Sequence, residues 1–203
     1  QGGMNKAPKF MMPNNYHFLL RFAFQKKDMK LFDFVNLTLT RIAYGGVFDT
    51  VDGGFSRYSV DNKWHVPHFE KMLFDNAALL GLYSAASAIL DRPLYAYIAR
   101  ETLLWLRRSL AVSEGFGASL DARTGGGDGT SYYLTKTEIK SCVSQSEYEF
   151  LDALYGLDRQ SDAPFLLHCS SYPIGAAEHL GISFEQAKTL FESARASLRL
   201  YRC

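Results

Sequence analysis

The sequence is short of cysteine, of net charge and of long apolar runs, and each shortage removes a class of function. Its three cysteines, Cys142, Cys169 and Cys203, are widely spaced, with no CxxC pair and no Cys/His cluster at zinc spacing. Dithiol chemistry and a metal centre are therefore not expected within these residues. A sparse, odd set of thiols, with room for one disulfide, points to a reducing, cytoplasmic setting. The 22 basic and 21 acidic side chains leave a net charge of +1. That balance offers no footprint for nucleic acid or an anionic membrane. No window approaches 18 uninterrupted apolar residues, so no membrane-spanning helix is expected. The opening Gln1-Gly2-Gly3-Met4-Asn5-Lys6 has no apolar stretch of the signal-peptide kind. No Walker-type P-loop, G-x-S-x-G or H-E-x-x-H motif occurs, and no cofactor is expected.

What the sequence does have is 203 residues that are 47% apolar, ample for one well-packed core or two small ones. Asn14 or Asn15 can cap a first helix through Phe22. Asp28 can cap a second, apolar at helical spacing from Leu31 to Ala43 and ended by Gly45-Gly46. Pro67 suits the first turn of a third helix reaching Leu90, and Asp91-Arg92-Pro93 breaks it. A fourth runs from Leu94 to Leu110. Ser131 to Leu134 reads as a short strand. Thr135 or Thr137 starts a short helix through Ile139, residues 147–154 form another, and Ser183-Phe184-Glu185-Gln186 opens the last. The pattern is all-α, with antiparallel helical hairpins and a few short strands in the loops.

Chemistry is concentrated in two stretches. Residues 47–66 lack helical periodicity and interleave Asp49, Arg57 and Asp61 with Phe48, Phe55, Tyr58 and Trp64. Loops of this length are commonly functional or disordered, and the aromatics argue for order. The plain alternative is a structural plug. The next run, His65 to Asn76, is dense in ionisable groups. Read as helix, it places His68, Lys71 and Asp75 within roughly a 60° arc. Either they line a polar pocket, with His68 moving a proton, or Lys71 and Asp75 form an ordinary i,i+4 ion pair. The glycine-rich stretch from Glu114 to Gly129 lacks a phosphate-loop pattern and reads as a flexible loop.

The run Gly45–Asp49, Gly53-Gly54-Phe55-Ser56-Arg57-Tyr58-Ser59-Val60-Asp61 and Trp64-His65-Val66-Pro67-His68-Phe69-Glu70-Lys71-Met72-Leu73-Phe74-Asp75-Asn76 resembles the signature block of the YyaL/spermatogenesis-associated protein 20-like family. Ala7-Pro8-Lys9-Phe10, Leu120-Asp121-Ala122, Tyr133-Leu134-Thr135 and Asp152–Leu157 continue the likeness in order. Departures are Asp52 where members usually have glycine, residues 123–127 where they are acidic, and Leu134 where tryptophan is common. The resemblance implies that residues 1–203 are part of an (α/α)6 toroid similar to six-hairpin glycosidases, with a thioredoxin-like domain upstream. It implies a carbohydrate-like ligand in a central cavity, bound or processed in the manner of a glycosidase or sugar epimerase. The alternative is a non-catalytic client-binding or structural module serving the thioredoxin-like domain. The catalytic candidates are His68, Asp75 and Glu70. The ligand-binding candidates are Asp49, Arg57, Tyr58, Trp64, His65, Lys71, Asn76 and Asp121. No metal ligand is assigned.

Overall fold

The computed structural model describes residues 2–124, 127–169 and 173–202. The chain divides into two compact units, one formed by Gln1–Asp49 with Gly53–Arg123, the other by Thr50–Asp52 with Thr124–Cys203. Eight α-helices and a set of two-residue strands are found among the described residues, a mostly-α fold.

In the first unit, strand β1 (Lys9–Phe10) precedes α1 (Pro13–Lys26) and α2 (Met29–Tyr44). Neither Asn14 nor Asn15 caps α1. Pro13, whose missing N–H costs nothing in a first turn, begins it behind Met12 in a left-handed conformation. Asp28 does cap α2, its carboxylate accepting from Leu31 N at 3.1 Å. The two-residue connection folds α1 and α2 against one another as antiparallel neighbours. Strands β2 (Tyr58–Ser59), β3 (Pro67–His68) and β4 (Lys71–Met72) follow, and only then α3 (Leu73–Leu90), which packs on α4 (Pro93–Trp105). By length and composition α3 could cross a bilayer. Here it lies against α1 and α4 and buries the polar Asn76.

The third helix thus begins six residues later than its sequence suggests. Residues 67–68 pair with Tyr58–Ser59, and Lys71–Met72 pair antiparallel with β7 (Ser119–Leu120), reached after the hairpin of β5 (Ala111–Val112) and β6 (Gly115–Phe116). Long-range pairing holds this backbone extended, so His68, Lys71 and Asp75 do not share a helical arc. The fourth helix also differs: past Trp105 it changes to a π-helical turn at Leu106–Leu110. Much of the glycine-rich stretch is hairpin rather than loop, although residues 125 and 126 lie outside the described residues.

The second unit contains β8 (Arg123–Thr124) in part, β9 (Gly127–Asp128), and β10 (Tyr133–Leu134) paired with β11 (Phe165–Leu166). Only the second half of the expected 131–134 strand is extended, because Thr130–Tyr132 form a 3-10 turn. Its helices are α5 (Lys136–Cys142), α6 (Gln145–Tyr155), α7 (Pro173–Leu180) and α8 (Phe184–Arg202). Capping boxes at Thr135/Glu138 and Ser144/Glu147 start the first two. Arg195 is buried in this unit, its Nε donating to Val51 O at 3.0 Å, while Tyr155 Oη bonds Thr50 Oγ1 at 3.0 Å.

The core of the first unit joins Leu20, Leu39, Ile42, Leu79 and Tyr83 to two loop aromatics, Phe48 and Phe55. Phe55 stacks on Tyr83 at 5.4 Å, so the long loop is anchored by its own rings. Gly54 makes that path possible: its φ is +76°, and a Cβ there would come within 2.5 Å of the Trp105 ring. Gly54→Ala combines backbone strain with overpacking, and is expected to cost at least about 2 kcal/mol in urea denaturation.

Candidate functional site

Three of the candidate residues turn out to be the frame of the loop. The Lys71 ammonium is fully buried, 2.9 Å from Asp49 Oδ2 and 2.8 Å from Gly53 O, and lies 5.2 Å from the centre of the Trp105 ring. The alternating direction of a strand explains this: Met72 points one way and Lys71 the other, into the unit. Asn76, also fully buried, clamps the next part of the loop. Its Oδ1 accepts from Phe55 N at 2.7 Å, and its Nδ2 donates to Phe55 O and Met72 O, each at 2.9 Å. The expected Lys71–Asp75 pairing is replaced by Lys71–Asp49, because the backbone at Lys71 is strand rather than helix.

The sheet β1–β2–β3 sorts the next residues by register. Lys9, Ser59 and Pro67 are cross-strand partners and are buried on one side. Phe10, Tyr58 and His68 are partners on the other. Their rings form a ladder, Phe10 to Tyr58 at 4.9 Å and Tyr58 to His68 at 4.7 Å with an interplanar angle of 13°. Both faces of Tyr58 are therefore engaged, and it presents its edge and hydroxyl outward. Trp64 is fully buried with φ +70°, beneath Lys9 Nζ at 4.5 Å. Neither ring offers a free stacking face in this arrangement. Asp61 organises the hairpin turn by accepting from Lys63 N, His65 N and Val66 N. Burial alone would raise its pKa, but these donors and Ser59 hold it below the ordinary carboxylate value.

The hairpin edge and the first turn of α3 bring the remaining groups together. Arg57 N donates to Glu70 O at 2.8 Å, and the two side chains pair at 3.2 Å, half open to solvent. Asp75 feels both of them. Its pKa is raised, first by burial and then by the Glu70 charge, against an opposing pull from Arg57. Asp75 Oδ2 and His68 Nδ1 are each buried with no hydrogen-bond partner among the described residues. A carboxyl whose pKa is raised, within electrostatic reach of an ion-paired carboxylate, is an arrangement that can do acid/base work, and His68 joins it through its stack on Tyr58, the neighbour of Arg57. Of the candidates, Arg57, Tyr58, His68, Glu70 and Asp75 belong to this cluster. Asp49, Trp64, Lys71 and Asn76 support it from within. His65 is exposed in the hairpin connection, and Asp121 is exposed just after β7. Sequence reasoning missed Phe10, Lys9 and Trp105, since a two-residue strand carries no periodic signal and Trp105 reads as ordinary core.

The class these features define is a mostly-α chain with a long loop pinned to the start of a core helix, beside a cluster of ionisable side chains. No family model matches the chain. Over 126 residues, 60% of this chain, the sequence is 39% identical to spermatogenesis-associated protein 20 of Homo sapiens and 38% identical to that of Mus musculus. An uncharacterized protein of Caenorhabditis elegans is 41% identical over 95 residues, 45% of this chain. The chain is thus a homologue of spermatogenesis-associated protein 20, as its signature block indicates. The match spans only 16% of the length of the human and mouse relatives.

Two outcomes follow from the geometry. Lys71→Met strands the buried Asp49 carboxylate and should cost about 3–5 kcal/mol by urea denaturation, whereas Asp49→Leu with Lys71→Met together should cost much less than the two single changes summed. For Asp75, a folded pKa above the unfolded value favours folding most below the unfolded pKa, and that contribution is lost as pH rises through the folded pKa. Asp75→Asn should therefore raise the melting temperature relative to the parent at about pH 7, with the difference shrinking towards about pH 3, below the unfolded carboxyl pKa.

Proposed function

We propose that this chain binds or processes a carbohydrate-like ligand at the cluster of Arg57, His68, Glu70 and Asp75, as one part of a longer protein working in the cytoplasm. One observation carries the reading: two buried, unpartnered polar atoms, Asp75 Oδ2 and His68 Nδ1, next to the half-open Arg57–Glu70 pair. Each unpartnered group costs about 1–3 kcal/mol of lost hydrogen bonding, a cost that a ligand rich in hydroxyls would relieve. Sugar hydroxyls both donate and accept, so they suit a patch that mixes a guanidinium, two carboxyls and an imidazole. In a reaction, Asp75 is the proton donor, Glu70 the partner carboxyl held by Arg57, and His68 the second proton-transfer group. The mostly-α hairpins are compatible with a partial (α/α)6 toroid, and the resemblance to the family supports the sugar-related reading.

The second reading, a client-binding module for a thioredoxin-like domain, draws on the cysteines. Cys169 is half-buried, and the pKa of its thiol is pushed up to about 12, chiefly by desolvation, which makes it a poor nucleophile. Any dithiol step would then belong to another part of the full-length protein.

The deciding measurement is the melting temperature of the full-length protein against neutral hexoses, amino sugars and sugar phosphates. A bound sugar at 100 times its Kd should add roughly 2.7 kcal/mol of stability, and His68→Ala should abolish that shift while leaving the unliganded protein folded. The sugar reading is abandoned if none of these ligands shifts the parent.

A further inference from the structure

Helix α1 has two apolar faces. Tyr16, Leu20 and Ala23 are buried where α1 packs on α2 and α3. Phe18 and Phe22 lie about 180° round the helix from Leu20. They are 65% and 39% exposed, and their rings stack at 6.0 Å. With Asn14, His17, Arg21 and Gln25 they line an open groove along the helix. An exposed ring pair of this kind, set in a groove, marks a contact surface.

The charge on α1 itself has one sign. α1 contains no acidic residue. Arg21, Lys26, Lys27 and Lys30 are exposed and engage no carboxylate among the described residues, while the nearby Asp28 is held by capping α2. This polarity is local, since the whole chain carries only +1. We propose that this face docks an acidic amphipathic helix of a partner protein, its apolar stripe over Phe18 and Phe22 and its carboxylates against Arg21 and the lysines. The groove follows the axis of α1, as helix-in-groove recognition requires. Its two amide side chains favour a peptide over a bilayer, because hydrocarbon leaves amides unpaired whereas a peptide supplies hydrogen-bond partners.

The test uses a synthetic helix of about 18 residues with leucines along one face and glutamates elsewhere, its lysine counterpart, and phosphatidylserine vesicles, titrated by fluorescence anisotropy or co-sedimentation. The acidic peptide should bind the parent, with affinity falling at least about tenfold in Arg21→Glu and in Phe18→Ser and weakening with salt. Both side chains are exposed, so circular dichroism should show both variants folded. Equal binding of the lysine peptide, unchanged binding by either variant, preference for vesicles, or no acidic-peptide binding up to about 1 mM would each overturn the proposal.

Discussion

The buried contact of Lys71 with Asp49 and the Gly53 carbonyl is the interaction on which the path of the first unit's long loop depends. An ammonium and a carboxylate removed from water lose several kcal/mol of hydration each, and recover it only with good geometry and further hydrogen bonds. Here both are supplied: 2.9 Å between the charges, 2.8 Å to Gly53 O, and the face of Trp105 beside the ammonium. Such a pair stabilises little against an apolar substitute of the same shape. What it fixes is path. Asp49 and Gly53 flank a sharp excursion of the chain, and both must face one nitrogen. The loop is therefore tied at that point to the strand that leads into α3.

A second tie, Asn76, fixes the same loop six residues after Asp49, at Phe55. Between them these groups set where Arg57 leaves the interior. Once Arg57 N reaches Glu70 O and β2 pairs with β3, Tyr58 must stand opposite His68. A register slip of one residue would turn the ring ladder inward and Lys9 and Ser59 outward. The outer cluster is thus positioned by inner polar contacts buried within the unit. Buried side chains in a signature block can be as specific as exposed ones for that reason, and Asp49, Lys71 and Asn76 illustrate it.

How much of this was legible in the sequence depends on the range of each interaction. Local signals served well. Asp28 caps α2, Thr135 opens α5, and Ser183 with Gln186 forms a reciprocal cap at α8, its Oγ accepting from Gln186 N at 3.2 Å. Those contacts span three residues and are written in adjacent letters. The start of α3 was not legible, because His68 pairs with Tyr58 ten residues back and Lys71 with Leu120 almost fifty ahead. Helical propensity at 67–72 yields to those partners. The whole of α7 was missed, being short and poorly periodic. The helical arc used to group His68, Lys71 and Asp75 was the wrong geometry, because β3 and β4 hold that backbone extended. Glu70 pairs with the loop's Arg57, while Lys71 turns inward to Asp49.

The acid bias of Asp75 follows from a contest that its position makes unusual. It lies in the first turn of α3, where the helix dipole favours an anion by about 0.3–1 kcal/mol, and it feels the Arg57 guanidinium as well. Both effects should lower its pKa, yet the net direction is upward. Burial therefore outweighs them, with the Glu70 carboxylate adding to it. Arg57 cannot serve both acids equally, since it is committed to Glu70 at 3.2 Å. One guanidinium near two carboxyls treats them unequally: Glu70 is in contact with it, while Asp75 is set back into the protein, where burial raises its pKa. The same sequence interval that hides Lys71 inside thus leaves two carboxyls in unlike environments, Glu70 paired with Arg57 and partly open to solvent, Asp75 with one buried oxygen.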